Sequence, residues 1–278
     1  MSQVFASLGV DANVLPARGP DLLELAKRIA GEKPATIVAG GGDGTINAVA
    51  SAIAGTGIVL GVLPLGTLNH FAKDLHIPLG LEDAVRTIVE GHTTEVDVGE
   101  VNGRVFINNS SLVLYPHIVR ARKEQQRRLG HGKWTAMAWA TLTMLRRSPF
   151  LSVRLKVEDE ERRYRAPFVF IGNNVYLMEG FNIGTRERLD AGVLSLYVVH
   201  RRGRWALLGL ALRALFGRLH QAKDFDALTA QNIVVETRHR RLHVATDGEV
   251  TVMDTPLEYT IRPGALIVHV PAPAVHAT

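Results

Sequence analysis

The residues of this chain that could do chemistry gather in three short turns. The first, "GGGDGT" (Gly40, Gly41, Gly42, Asp43, Gly44, Thr45), joins a β-like run, Ala35–Ala39, to a helix-like run, Ile46–Ala54. Such a turn aims consecutive backbone N–H groups from the positive end of a helix, and glycines let that backbone approach a phosphate closely. An aspartate inside a phosphate cradle repels its ligand unless a donor or a cation such as Mg²⁺ intervenes, so Asp43 points to a metal-bridged phosphate. The second turn, "PLGTLNHFA", offers Gly66, Thr67 and Asn69 after another apolar run. In an open α/β sheet such turns lie side by side at the carboxyl ends of the strands, where ligands bind. The third, "ATDGEVT", carries Asp247 and Glu249; on spacing alone it is an ordinary Asp-Gly hairpin with a solvated neighbour. None of the three is a Walker loop, because no Gly-Lys-Ser/Thr follows, and Asn47-Ala48 stand where a dinucleotide fingerprint needs its last glycine.

The elements that must hold these turns follow from periodicity. Asp21–Ala30 and Leu81–Glu90 read as helices, and Ile58–Pro64 as a second buried parallel strand. Strand, glycine turn and helix in repetition imply an open α/β sheet over residues 1–95. From Val96 the pattern changes to short strands with tight turns. Val96–Val101 and Val105–Asn109 flank Asn102-Gly103; Leu151–Val157 and Tyr164–Ile171 flank an acidic turn. Val193–His200, Ile233–Thr237 and Leu242–Ala245 follow, and Leu257–Arg262 and Ala265–Val270 close on Pro263-Gly264. Residues 96–278 therefore read as an antiparallel, β-sandwich-like domain with two inserted helices, Trp134–Arg146 and Trp205–Leu219.

Composition narrows the class. The chain has 278 residues, 46% hydrophobic and 21% charged, with no cysteine, so disulfides and thiolate metal sites are excluded. No apolar run is long enough to span a bilayer, and the N-terminus lacks a secretory pattern. A net charge of +5 with paired arginines, such as Arg162-Arg163 and Arg240-Arg241, suits an anionic partner: a nucleotide or a membrane surface. With only 6% aromatic residues and no aromatic-interleaved basic motif, a nucleic-acid binder is disfavoured. The stripe Leu208, Leu212, Leu215 and Leu219, flanked by arginines, suits either an anionic membrane or its own sheet, as does Lys133–Arg147. His239 and His243 share a strand-like stretch, where four-residue spacing makes no metal pair.

Taken in order, "GGGDGT", "PLGTLNHFA", "EVDVGEVNGRVFINNSSLVLYP", "IGNN", "RERLDAGVLSLYVV" and "DGE" resemble the diacylglycerol kinase catalytic family, which includes sphingosine kinases and bacterial soluble lipid kinases. The resemblance implies an ATP-binding α/β domain, a β-rich lipid-binding domain and a Mg²⁺-dependent cleft between them. It implies a cytoplasmic enzyme that touches the membrane peripherally, and leaves room for a homodimer. By position, Asp247 matches the family's general base, and Asp43, Asp97 and Glu249 match acids that hold Mg²⁺ through water. The glycine turn with Gly66, Thr67 and Asn69 matches nucleotide contacts. The acceptor would be diacylglycerol or a sphingoid or other long-chain alcohol. Three departures are visible: no Asn-Pro strand precedes the glycine turn, an expected acidic stretch reads Leu189-Asp190-Ala191-Gly192 with Ser195 following, and Val113 in "NNSSLVLYP" stands where a glycine is frequent. The alternatives are an NAD kinase, disfavoured by "PLGTLNHFA", and an inactive lipid- or nucleotide-binding homologue.

Overall fold

Thr36–Gly41 (β1) and Val59–Pro64 (β2) pair in parallel, Thr36 facing Val59 and Gly41 facing Pro64, so both strands end at one level. The computed structural model describes residues 1–17, 19–112, 151–157, 160–166, 169–179, 182–199 and 225–272. The expected helices Trp134–Arg146 and Trp205–Leu219, and the Lys133–Arg147 stretch, lie outside these. Around β1 and β2 pack Ser2–Ser7 (α1), Gly19–Gly31 (α2), Asp43–Ile53 (α3), His70–Asp74 (α4) and Leu81–Glu90 (α5). Helix α5 buries Ala84, Val85 and Ile88 at helical spacing and leaves its acidic face in water. Among the described residues β1 pairs with β2 alone, and its outer edge carries no strand.

The second half forms a sandwich. Arg104–Phe106 (β4), Leu151–Val157 (β6), Glu160–Ala166 (β7) and Asn232–Thr237 (β13) extend the first sheet. Its partner sheet runs β12-β11-β8-β5-β14-β15, built from Phe225–Ala230 (β12), Leu194–Val199 (β11), Val169–Asn173 (β8), Asn109–Leu112 (β5), Arg241–Thr246 (β14) and Glu249–Asp254 (β15). Alternate residues of both sheets, among them Val153, Leu155, Ile233, Val235, Ile171, Leu196 and Val244, fill one core. Each such side chain contributes about 1.5–3 kcal/mol by leaving water. The buried Tyr259 hydroxyl meets Ser110 Oγ at 3.0 Å, so this polar tip inside the core is satisfied.

Two strands join the halves: His92–Val101 (β3) and Leu257–Val270 (β16), which pair antiparallel along most of their length. Here the structure corrects the sequence expectation. Pro263-Gly264 does not close a hairpin; one strand runs through it with a bulge, leaving the sandwich and ending beside β2. Arg262 faces Val98 and Leu266 faces Val96, so residues 263–265 oppose Asp97 alone. The Asp97 carboxylate accepts the Gly264 N–H at 2.9 Å, and proline has no N–H to leave unpaired, which together stabilise the extra residues. Leu266 and Val268 thereby enter the first core. A second correction concerns Tyr164–Ile171, which is two strands, β7 and β8, in different sheets. Pro167, between them in sequence, cannot donate to a ladder.

Candidate functional site

The glycine turn is shorter than its sequence suggests. Gly40 and Gly41 finish β1, Gly42 is the N-cap of α3, and Asp43, Gly44 and Thr45 already form its first turn. Gly42 has no side chain to cap the helix, while its carbonyl accepts the N–H groups of Thr45 and Ile46. Gly41 is required by packing: a Cβ there would lie 2.5 Å from Thr45 Oγ1. Gly44 opens onto free space. An uncapped helix start whose backbone can be approached fits an anion such as a phosphate.

The second turn touches the first. A Cβ on Gly66 would come 2.4 Å from Gly42 Cα, so only glycine allows the two backbones to meet. Asn69, in the left-handed region at φ 51°, builds this turn: its Oδ1 accepts the Gly66 N–H, and its Nδ2 donates to the Pro64 and Gly66 carbonyls. Thr67 is exposed. Asp43 completes the link, for its Oδ1 accepts the Phe71 N–H at 3.3 Å, at the head of α4.

Asp247 and Gly248 form a two-residue turn between β14 and β15, both at positive φ (47° and 83°), as an Asp-Gly hairpin requires. The Asp247 carboxylate does not face water freely. Its Oδ2 accepts the Ile107 N–H at 2.8 Å, and its Oδ1 accepts those of Asn108 and Asn109, both at 2.9 Å. Burial pushes its carboxyl up to about 6, against the pull of these three N–H groups and of the Arg186 cation. Two oxygens offer four acceptor positions, so three bonds leave one, on Oδ2.

The other two acids are engaged elsewhere. Asp97 is buried, its Oδ2 accepting the Gly192 N–H at 2.6 Å and its Oδ1 that of Gly264. Glu249 is exposed and pairs with Arg104 at 2.7 Å. Asp190, in the stretch where more acids were expected, is exposed and paired with Arg188; Ser195 Oγ donates to the Asn174 carbonyl. Among the described residues no three metal-ligating side chains cluster. Asp43, in the first turn of α3, accepts one backbone N–H, while both oxygens of Asp97 and the exposed Glu249 already have protein partners.

Sequence reasoning passed over the contact that connects the turns. Asp74 is buried at the end of α4 and pairs with Arg186 at 2.7 Å, with 5% and 0% of the two side chains exposed. Arg186 ends Asn182–Arg186 (β10), which pairs with Tyr176–Glu179 (β9). Its remaining donors go to the Ile107 and Asn173 carbonyls and to Asn108 Oδ1. The guanidinium lies 5.3 Å from the Tyr176 ring centroid; burial pushes the Tyr176 hydroxyl up to about 12, while its bond to the Asn109 side chain opposes that. Arg186 opens the stretch "RERLDAGVLSLYVV" and Asp74 follows the second turn, but nothing in either segment pairs the two; their mutual burial does.

Known proteins resemble this chain along its length. Residues 1–101 match the model described as the diacylglycerol kinase catalytic domain, and residues 118–270 that of the YegS C-terminal NAD kinase beta sandwich-like domain. Over 85 residues the chain is 46% identical to proteins named diacylglycerol kinase from Staphylococcus aureus strains JH9 and Newman. Those matches take in 30% of this chain and 27% of the relatives' length. A solved structure titled a putative diacylglycerol kinase from Bacillus anthracis str. Sterne superposes with a TM-score of 0.74 at 25% identity, covering 98% of this chain and 90% of that one. A second from the same organism gives 0.73 at 25% identity, with the same coverage of both chains.

Proposed function

The chain belongs to the diacylglycerol kinase catalytic-domain family, with a YegS-type C-terminal domain, and on that premise we propose that it is an ATP-dependent lipid kinase. The γ-phosphoryl group of ATP passes to the hydroxyl of a lipid alcohol, diacylglycerol or a long-chain base. The lipid oxygen forms the new bond to phosphorus, the bond from phosphorus to the β-bridging oxygen breaks, and ADP leaves. Asp247 accepts the hydroxyl proton.

One observation carries this reading: a carboxylate held by three backbone N–H groups with one acceptor position open and a proton affinity near neutrality. A general base works best when its pKa lies near the working pH, and about 6 leaves Asp247 ionised at pH 7 yet basic enough to receive a proton. The start of α3 and the Gly66 turn supply the phosphate side, where alignment and charge neutralisation do most of the work. Mg²⁺ bound there would neutralise phosphate charge, with Asp43 as the residue that would hold it and Asp97 and Glu249 contributing through water. Substrate in the membrane implies peripheral contact with it, and among the described residues no helix is long and apolar enough to cross one.

The test is transfer of labelled phosphate from ATP to diacylglycerol or sphingosine in mixed micelles. Asp247→Asn should abolish turnover while ATP still binds. An Asp247→Asn protein as fast as the unaltered chain removes the base assignment, and no labelled lipid from either alcohol removes the kinase reading for those acceptors.

A further inference from the structure

Arg186 belongs to none of the three turns, yet it is bonded to the segment that holds one and to the helix that follows another. From α4, Asp74 Oδ2 accepts from Arg186 Nε at 2.8 Å, and Asp74 Oδ1 accepts the Arg186 backbone N–H at 3.3 Å. The same helix donates the Phe71 N–H to Asp43. On the other side, Arg186 Nη1 donates to the Ile107 carbonyl at 2.7 Å and Nη2 to Asn108 Oδ1 at 2.8 Å. These are the residues whose N–H groups grip Asp247. Ile107 and Asn108 therefore stand between a buried cation and the carboxylate, and the cation polarises the donors that meet it.

A buried ion pair is weak evidence for stability alone, since apolar residues of like volume often serve as well. Convergence of its donors on the residues that cradle a reactive carboxylate is a feature that apolar packing would not reproduce. We propose that Arg186 is a positioning residue for phosphoryl transfer. Locked by Asp74, it fixes the 107–109 segment and so sets Asp247 against the nucleotide side of the cleft. This rests on the reading of Asp247 as the base. Among the described residues, the charged and titratable groups around that carboxylate include Arg186 from β10, Asp74 from α4, Tyr176 from β9, and the Glu249–Arg104 pair beside its own hairpin.

The experiment uses the full chain with ATP and diacylglycerol micelles, and follows the Asp247 carboxyl directly by ¹³C NMR, its signal identified by its loss in Asp247→Asn. Arg186→Lys keeps a charge but loses the fork; it should lower kcat by about tenfold or more, since small misplacements of reacting groups are costly, and leave KM for ATP nearly unchanged. The double variant Asp74→Asn, Arg186→Gln removes the cation without leaving a lone buried charge. In it the Asp247 titration and the acid limb of the pH–rate profile should both move upward. A folded double variant whose Asp247 titrates as before and whose kcat is unchanged overturns the proposal and leaves Arg186 a staple. If the double variant does not fold, an unchanged kcat in Arg186→Lys overturns it equally. Should Asp247→Asn remain active, the base reading fails instead, while the NMR titration still reports whether Arg186 governs that carboxylate.

Discussion

Replacing Gly66 by alanine loads the contact between the two glycine turns. The new Cβ would lie 2.4 Å from Gly42 Cα, 2.7 Å from Asn69 Oδ1 and 3.2 Å from Gly42 N. Carbon atoms in favourable contact sit about 3.5–4.0 Å apart, so one turn must retreat by about 1 Å. The obstacle is backbone, which cannot rotate away as a side chain would, and Asn69 is already bonded to three groups of its own turn. Overpacking of this kind costs about 1–3 kcal/mol. At about 2–4 °C per kcal/mol for a chain of this order, the melting temperature should fall by several degrees. Retreat of about 1 Å at the α3 start should also weaken ATP binding or slow transfer by about a hundredfold. Gly44→Ala is the control for stability alone, because no protein atom lies within 4 Å of its added Cβ and the residue is already helical. That change should stabilise the protein by about 0.5–1 kcal/mol. Differential scanning fluorimetry and isothermal titration with ATP separate the two. If Gly66→Ala melts like Gly44→Ala and binds ATP like the unaltered chain, the turns do not form one site and the reasoning fails.

Asp74→Asn alone strands the buried Arg186 cation and should cost about 3–5 kcal/mol, read by urea unfolding. The Asp247 carboxyl, raised in the folded state to about 6, implies stability that falls as pH rises from its unfolded value near 4 to about 6 and then levels. The folded form holds the extra proton in that window, so comparing the unfolding curves of the unaltered chain and Asp247→Asn between pH 4 and 7 isolates it. Activity should run the opposite way, with kcat/KM climbing through about pH 6 as Asp247 ionises. Glu249→Gln breaks only an exposed pair with Arg104, so stability should change by less than about 1 kcal/mol, and any larger loss of turnover belongs to the reaction rather than to folding.

Much of the fold is legible because its signals are local. Helix α5 is set by apolar spacing, and β1 and β2 by short β-branched runs bounded by glycine. Asn102-Gly103 and Asp247-Gly248 adopt the positive φ angles their sequences demand. What failed is the reading of Pro263-Gly264, a turn pair that in most contexts closes a hairpin. Here the residues after it are claimed by β2 and β3, and the Asp97 carboxylate facing the break gives Gly264 N–H a partner. A bulge and a turn use the same residues; which one forms depends on strands distant in sequence.

The site divides along the same line. Glycines that let two backbones meet announce themselves by type, and so does an aspartate at a hairpin tip. Asp97 was found by position in a motif, and in the fold it also bonds two backbone N–H groups that close the seam between the halves. Asp97→Asn tests that assignment. An amide keeps one acceptor and turns a donor toward Gly192 or Gly264, so about 1–3 kcal/mol should be lost through one unsatisfied N–H. Were Asp97 chiefly a metal group, the variant would instead fold normally and lose only Mg²⁺-dependent turnover. Thermal unfolding without nucleotide or metal decides between the two, because a seam residue is needed before any ligand arrives.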